Sequence, residues 1–264
     1  MNMLTNLLNE NVVNHQHTLV GYALEKLIGS FSGLRVENHP ELTDIGIDLD
    51  DIHTENGFDF SAIAFRNCGL TSLRGLPSRA ISELIVENCN ITSLDGCTDK
   101  ILNDLRLTKC AALTSLRGCA TEIGYMRVAA CNSLKSLIGI ERTSIETRLH
   151  LYSCGLTKID ALPIAAKGIQ LYKLPFLRSL SGVNKLGLTL IEDGEFVIQE
   201  CENLTHGLLS VVSIPGLKAF DWKDEPGVSK AMQEAIESHD STRRRILSAQ
   251  RALIDLGRGT LATL

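Results

Sequence analysis

Ile63-Ala64-Phe65-Arg66-Asn67-Cys68-Gly69-Leu70-Thr71-Ser72-Leu73-Arg74-Gly75 is the stretch that decides the fold. Its pattern is apolar, any, apolar, two residues, Cys, any, apolar, then Ser-Leu-x-Gly. The pattern returns from Leu84 to Gly96 through Val86, Cys89, Ile91 and Leu94. It returns again from Leu105 to Gly118 and from Met126 to Gly139, each time with one extra residue after the Cys. Looser copies begin at Leu149 and Ile169. The first apolar residues of these six copies are separated by 21, 21, 21, 23 and 20 residues. A fixed period of this size marks a repeat architecture. Degenerate copies flank the run at Leu34-x-Val36, Phe196-x-Ile198 and Leu209-x-Val211, giving nine candidate coils.

Within each copy, apolar-x-apolar has period two and predicts a short strand with one buried face. The Gly after Ser-Leu-x predicts a tight bend, where the lack of a Cβ is useful. Only about eight residues then remain before the next strand, too few for a long helix, so an irregular or 3₁₀ return is expected. A single coil cannot bury its apolar side alone. Stacked coils bury a continuous core and present a parallel sheet. The expected fold is therefore an α/β repeat solenoid with a parallel, concave β-sheet and an irregular or 3₁₀ convex side.

The chain resembles the leucine-rich repeat family, whose pattern is L-x-L-x-x-(N/C)-x-L. It is similar in particular to bacteriophage-type members with Leu-Thr-Ser-Leu-x-Gly repeats and a short helical tail. Leu70-Thr71-Ser72-Leu73-Arg74-Gly75-Leu76-Pro77 carries that likeness, with Leu113-Thr114-Ser115-Leu116-Arg117-Gly118 and the tail from Ile246 to Gly257. Residues 60–183 match best. The chain departs from the family in using Cys where Asn is frequent, and in placing Pro after only one repeat. The resemblance implies a phage product working inside an infected bacterial cell. It implies no catalytic residue.

The 264 residues carry a net charge of −5, which offers no general attraction to nucleic acid or an anionic membrane. No apolar run approaches a membrane span, and the first residues do not read as a secretory signal. Of the eight cysteines, Cys68, Cys89, Cys110, Cys131, Cys154 and Cys201 share one repeat position. Cys97 and Cys119 share another. Repeat register thus accounts for all of them as buried small apolar groups. Equivalent side chains on stacked coils point in parallel, a poor disulfide geometry. Free thiols suit a cytoplasmic location, and no metal or other cofactor is expected.

Solenoids need covered ends. Leu19, Val20, Ala23, Leu24, Leu27 and Ile28 recur at helical spacing, so residues 1–32 are expected to form an N-terminal helical cap. The repeats then occupy 33–220, and a helical tail 221–264. In that tail Pro226-Gly227 opens one helix, and Ser241 caps another that Gly257 ends. Ile246, Leu247, Leu253, Ile254 and Leu256 form the second helix's apolar stripe. Arg243-Arg244-Arg245 reads as a solvated basic turn. Two connections break the period. Asp48, Asp50, Asp51, Glu55 and Asp59 crowd the first, without the spacing of a calcium loop. In the second, Asp193-Gly194 between apolar runs predicts a hairpin.

No phosphate loop, zinc pattern, dinucleotide fingerprint or Gly-x-Ser-x-Gly is present. His150 lies near Cys154, but Cys154 is a repeat position. A nucleophile must be exposed and activated. Strand alternation instead defines an outward face. Early rungs present Glu83, Ile85, Glu87 and Asp104, and late rungs Glu195, Val197, Gln199 and Glu200. The middle presents Arg106, Lys109, Tyr125, Arg127, Arg148, His150, Tyr152, Gln170, Tyr172 and Lys173. Arg with Tyr is the composition of interface hot spots. The expectation is a non-enzymatic module whose middle patch binds a host or phage protein, with an acidic partner surface anticipated. A virion or assembly component is the first alternative. A small enzyme or nucleic-acid binder using the same patch is the second.

Overall fold

The computed structural model describes residues 33–46, 48–50 and 61–264. The helix expected in residues 1–32 lies outside these, as does the acidic connection beyond Asp50. The described chain is a parallel-strand solenoid. Its nine strands form one sheet in strict sequence order. They are β1 (Gly33–Glu37), β2 (Ala62–Arg66), β3 (Ile81–Glu87), β4 (Lys100–Thr108) and β5 (Glu122–Ala129). Then follow β6 (Ser144–Tyr152), β7 (Ala165–Tyr172), β8 (Thr189–Gln199) and β9 (Leu217–Trp222).

The register aligns equivalent repeat positions. Leu34, Ile63, Leu84, Leu105, Met126, Leu149, Ile169, Phe196 and Phe220 pair strand to strand in one row. Val36, Phe65, Val86, Leu107, Val128, Leu151, Leu171, Ile198 and Trp222 form the next row, and both rows are buried. A third buried row precedes them: Ile81, Ile101, Ile123, Ile145, Ala166 and Leu190. From Ile81 onward a break in register separates it from the other two.

The first eight strands each end at a left-handed residue: Asn38, Asn67, Asn88, Lys109, Ala130, Ser153, Lys173 and Glu200 have φ between 50° and 63°. Asn tolerates this region best, and Asn38, Asn67 and Asn88 also bond side chain to side chain. The following Cys turns inward. Its thiol donates to the carbonyl of the second core residue one coil back, as Cys110 does to Val86 at 3.5 Å and Cys154 to Val128 at 3.6 Å. A small donor at this position therefore ties adjacent coils together, which explains why the repeat keeps Cys. All eight thiols are free. Cys97 and Cys119 are only half-buried, less covered than their repeat position suggests.

Two sequence expectations give way here. The Leu209-x-Val211 copy is not a strand. Leu208–Val212 is a short helix, α1, with every residue buried. A continuous apolar run does not distinguish helix from strand. The last coil's strand is β9, where Phe220 and Trp222 take the core places. The expected hairpin at Asp193-Gly194 is also absent. Thr189–Gln199 is one strand, broken by a bulge: Leu190 pairs with Ala166 and Glu195 with Gly168, so four residues oppose Lys167 alone.

Two further helices follow, α2 (Pro226–Glu237) and α3 (Thr242–Asp255). The Ser241 hydroxyl caps α3 by accepting from Arg244 N. Arg243, Arg244 and Arg245 lie in its first turn. Of its expected apolar stripe, Leu253 is buried and Ile246 partly so, while Leu247, Ile254 and Leu256 are exposed. No helix among the described residues is long and apolar enough to cross a membrane.

Candidate protein-binding face

Between the two main core rows, one outward residue per strand forms a column. Arg35, Ala64, Ile85, Arg106, Arg127, His150, Gln170, Val197 and Asp221 are direct register partners. A second column lines the strand ends: Arg66, Glu87, Thr108, Ala129, Tyr152, Tyr172 and Gln199. Neighbouring side chains in a column stand about 4.8 Å apart, close enough to touch.

The middle of this face brings the expected residues together. The Tyr125 hydroxyl lies 3.2 Å from His150 Nδ1. The Tyr152 and Tyr172 rings stack, tilted by 46° with centroids 5.0 Å apart. Burial, then Arg127 and Arg148, hold His150 below the ordinary histidine pKa. Its Nε2 is buried with no hydrogen-bond partner. The Tyr172 hydroxyl bonds the Glu200 carboxylate, which raises its pKa. Lys109, Lys173 and Glu200 are displaced from the face. They occupy the left-handed turn position, so Lys173 stands at the margin of the patch.

Arg148 behaves differently from its neighbours. From β6 it reaches across β7 to pair with Glu195 on β8, and it also donates to Gln170 Oε1 at 3.5 Å. Gly168 sits beneath that bridge. A Cβ there would lie 3.0 Å from Glu195 Cγ and 3.2 Å from Arg148 Nε. The missing side chain is what leaves room for the pair. Beside it, the β8 bulge sets Glu192 against Lys167 at 2.6 Å. Tyr125, Thr147, Arg148, Lys167, Asp193 and Glu195 line a shallow cleft of about 370 Å³. Thr147, Lys167, Gly168, Glu192 and Asp193 also belong to this region, though the repeat pattern does not mark them. The available signal was the long interval from Ile169 to Phe196, which reads equally well as a hairpin.

No group of three or more His, Cys, Asp or Glu among the described residues is placed to hold a metal. Cys154 is buried, with its thiol pKa pushed up to about 11 by burial and its Sγ on backbone carbonyls. Such a thiol is protonated and covered near neutrality, the opposite of an activated nucleophile. No family model, curated protein or solved structure matches this chain.

Proposed function

We propose that this chain is a non-catalytic, leucine-rich-repeat-type solenoid that binds another protein through the β5–β7 part of its outward, concave sheet face. The repeat pattern's likeness to phage proteins supports a role in the cytoplasm of an infected bacterium, with a host or phage protein as partner. One observation carries the binding reading. Tyr125, Arg127, His150, Tyr152 and Tyr172 stand side by side on three adjacent strands. Rigid aromatic area beside an arginine is the usual make-up of an energetic hot spot.

The test is affinity capture from infected cells, with wild-type protein and the Arg127→Ala/Tyr152→Ala double variant run in parallel. A protein recovered on the wild type and lost on the variant supports the reading. Partners recovered equally on both would place the binding surface elsewhere.

A further inference from the structure

Five arginines lie on the nine strands: Arg35, Arg66, Arg106, Arg127 and Arg148. Four have carboxylate partners. Arg35 meets Glu37 at 3.7 Å, and Arg66 meets Glu37 at 2.6 Å and Glu87 at 3.4 Å. Arg106 meets Asp104 at 2.7 Å and Glu83 at 3.8 Å, and Arg148 pairs with Glu195. Arg127, at the centre of the aromatic patch, has no ion pair among the described residues. Its register partners are Arg106 and His150, neither of which supplies a negative charge.

We infer that Arg127 is the seat for a single carboxylate, an Asp or Glu side chain of the bound protein, with an adjoining apolar side chain resting on the Tyr152–Tyr172 pair. This rests on the protein-binding reading and narrows its partner. The guanidinium offers a fork that a carboxylate matches with two parallel hydrogen bonds. The tyrosine ring centroids are 5.0 Å apart, too close to admit a side chain between them, so the pair forms one contiguous aromatic contact. The pairing pattern also sets the number of charges received. Arg106 and Arg148 are already neutralised by carboxylates on the same face, and Lys167 by Glu192. A polyanion needs a run of free cations along its backbone. Here the other strand cations of the patch, Arg106, Arg148 and Lys167, are already held by carboxylates, so Arg127 stands alone and no such run is offered. A segment with one acidic residue beside an apolar one fits; a strongly acidic tract or a nucleic acid does not.

The experiment uses two capped dipeptides, acetyl-Phe-Glu-amide and acetyl-Phe-Gln-amide, and a single-stranded oligothymidylate, each titrated into the full chain and followed by NMR. The expected result is a saturable shift of the Arg127 Nε–H and Tyr152 and Tyr172 ring signals with the glutamate probe. It should bind at least about fivefold more tightly than the glutamine probe. Arg127→Gln should abolish that preference, and Arg35→Gln, at the far end of the sheet, should keep it. Equal binding of the two dipeptides, no shift by either up to about 10 mM, or tighter and steeply salt-dependent binding of the oligonucleotide would each overturn the inference. Such a failure leaves the protein-binding reading to be judged separately by the paired capture experiment.

Discussion

Gln233 on α2 completes the open edge of β9 through Phe220. The Phe220 backbone N–H donates to Gln233 Oε1 at 2.8 Å, and Gln233 Nε2 donates to the Lys218 carbonyl at 3.1 Å. These two backbone groups flank Ala219, and one residue of a parallel neighbouring strand would engage the same pair. A side-chain amide thus stands in for the next coil. Ser229 repeats the device one step on, accepting from Trp222 N at 3.2 Å and donating to Asp221 Oδ1 at 3.0 Å. An uncovered parallel edge invites another chain to pair with it.

Gln233→Leu should therefore lower stability by about 1–3 kcal/mol, the usual cost of leaving covered backbone groups unpaired. Association should also become concentration-dependent. Urea denaturation and light scattering across a concentration series read the two effects. A variant that is both monomeric and as stable as wild type would show that water satisfies the edge equally well.

Strand parity makes a sharper claim about Leu107 and its neighbour. Leu107 is fully buried, so Leu107→Ala should cost about 2–5 kcal/mol. Arg106 is exposed and tied only to surface carboxylates, so Arg106→Ala should cost about 1 kcal/mol or less. Denaturation midpoints in the opposite order would mean the strand faces the other way.

The repeat bends separate backbone strain from crowding. Gly139 has φ 112°, and an added Cβ would lie 2.3 Å from the Leu116 carbonyl oxygen and 2.4 Å from Arg117 N. Gly182 has φ 80° with open space around it. Gly182→Ala should cost about 1–2 kcal/mol for the left-handed backbone alone. Gly139→Ala carries the steric clash as well and should be clearly worse. Thermal melts of the two variants settle the order, and a smaller loss at Gly139 would mean that neighbouring coils slide apart freely.

The two main core rows were legible because their residues are fixed two apart and recur at a nearly constant period. The third row was not. Ile81 precedes Leu84 by three residues, Ile101 precedes Leu105 by four, and Leu190 precedes Phe196 by six. The register break between these rows absorbs a variable number of residues, so no period survives. The patch was legible for the same reason as the core, since outward parity follows from inward parity. Its ion pairing was not. The Arg148–Glu195 bridge depends on the β8 bulge and on the gap over Gly168, and neither carries a local pattern. Simple alternation puts Lys109 and Lys173 on the face, but a left-handed turn ends the alternation one residue earlier in each case.

The thiols give a pH signature. Burial pushes Cys154 and Cys201 up to about 11, from an ordinary 9.0. A raised folded-state value means the folded form holds its protons longer than the unfolded chain. The stabilisation is complete below pH 9 and is lost as pH rises toward about 11. Stability should fall steadily across that window. Near pH 8 native Cys154 and Cys201 should react slowly with a thiol reagent, and all eight thiols should react after denaturation without reductant. Rapid labelling of native Cys154 would contradict its burial, and fewer than eight thiols on denaturation would reveal a disulfide.

The last prediction concerns how the patch responds to pH. Burial and the charges of Arg127 and Arg148 depress the His150 pKa below 6.5 in the free protein. A partner carboxylate seated on Arg127 offsets part of that positive field, so the bound state has the higher His150 pKa. Binding then takes up a proton, and affinity rises as pH falls from above the bound-state value toward the lower free-state value. Tyr125 contributes through its hydroxyl at Nδ1, which orients the ring. In titration calorimetry with a captured partner, Arg127→Ala or Tyr152→Ala should each weaken binding by at least about 1–2 kcal/mol with little change in melting temperature. His150→Gln should retain most of the affinity at pH 7.5 and lose its rise on acidification, with no proton uptake detected between buffers of different ionisation enthalpy. If wild-type affinity instead falls on acidification, the partner presents a positive charge to this face and the carboxylate assignment fails.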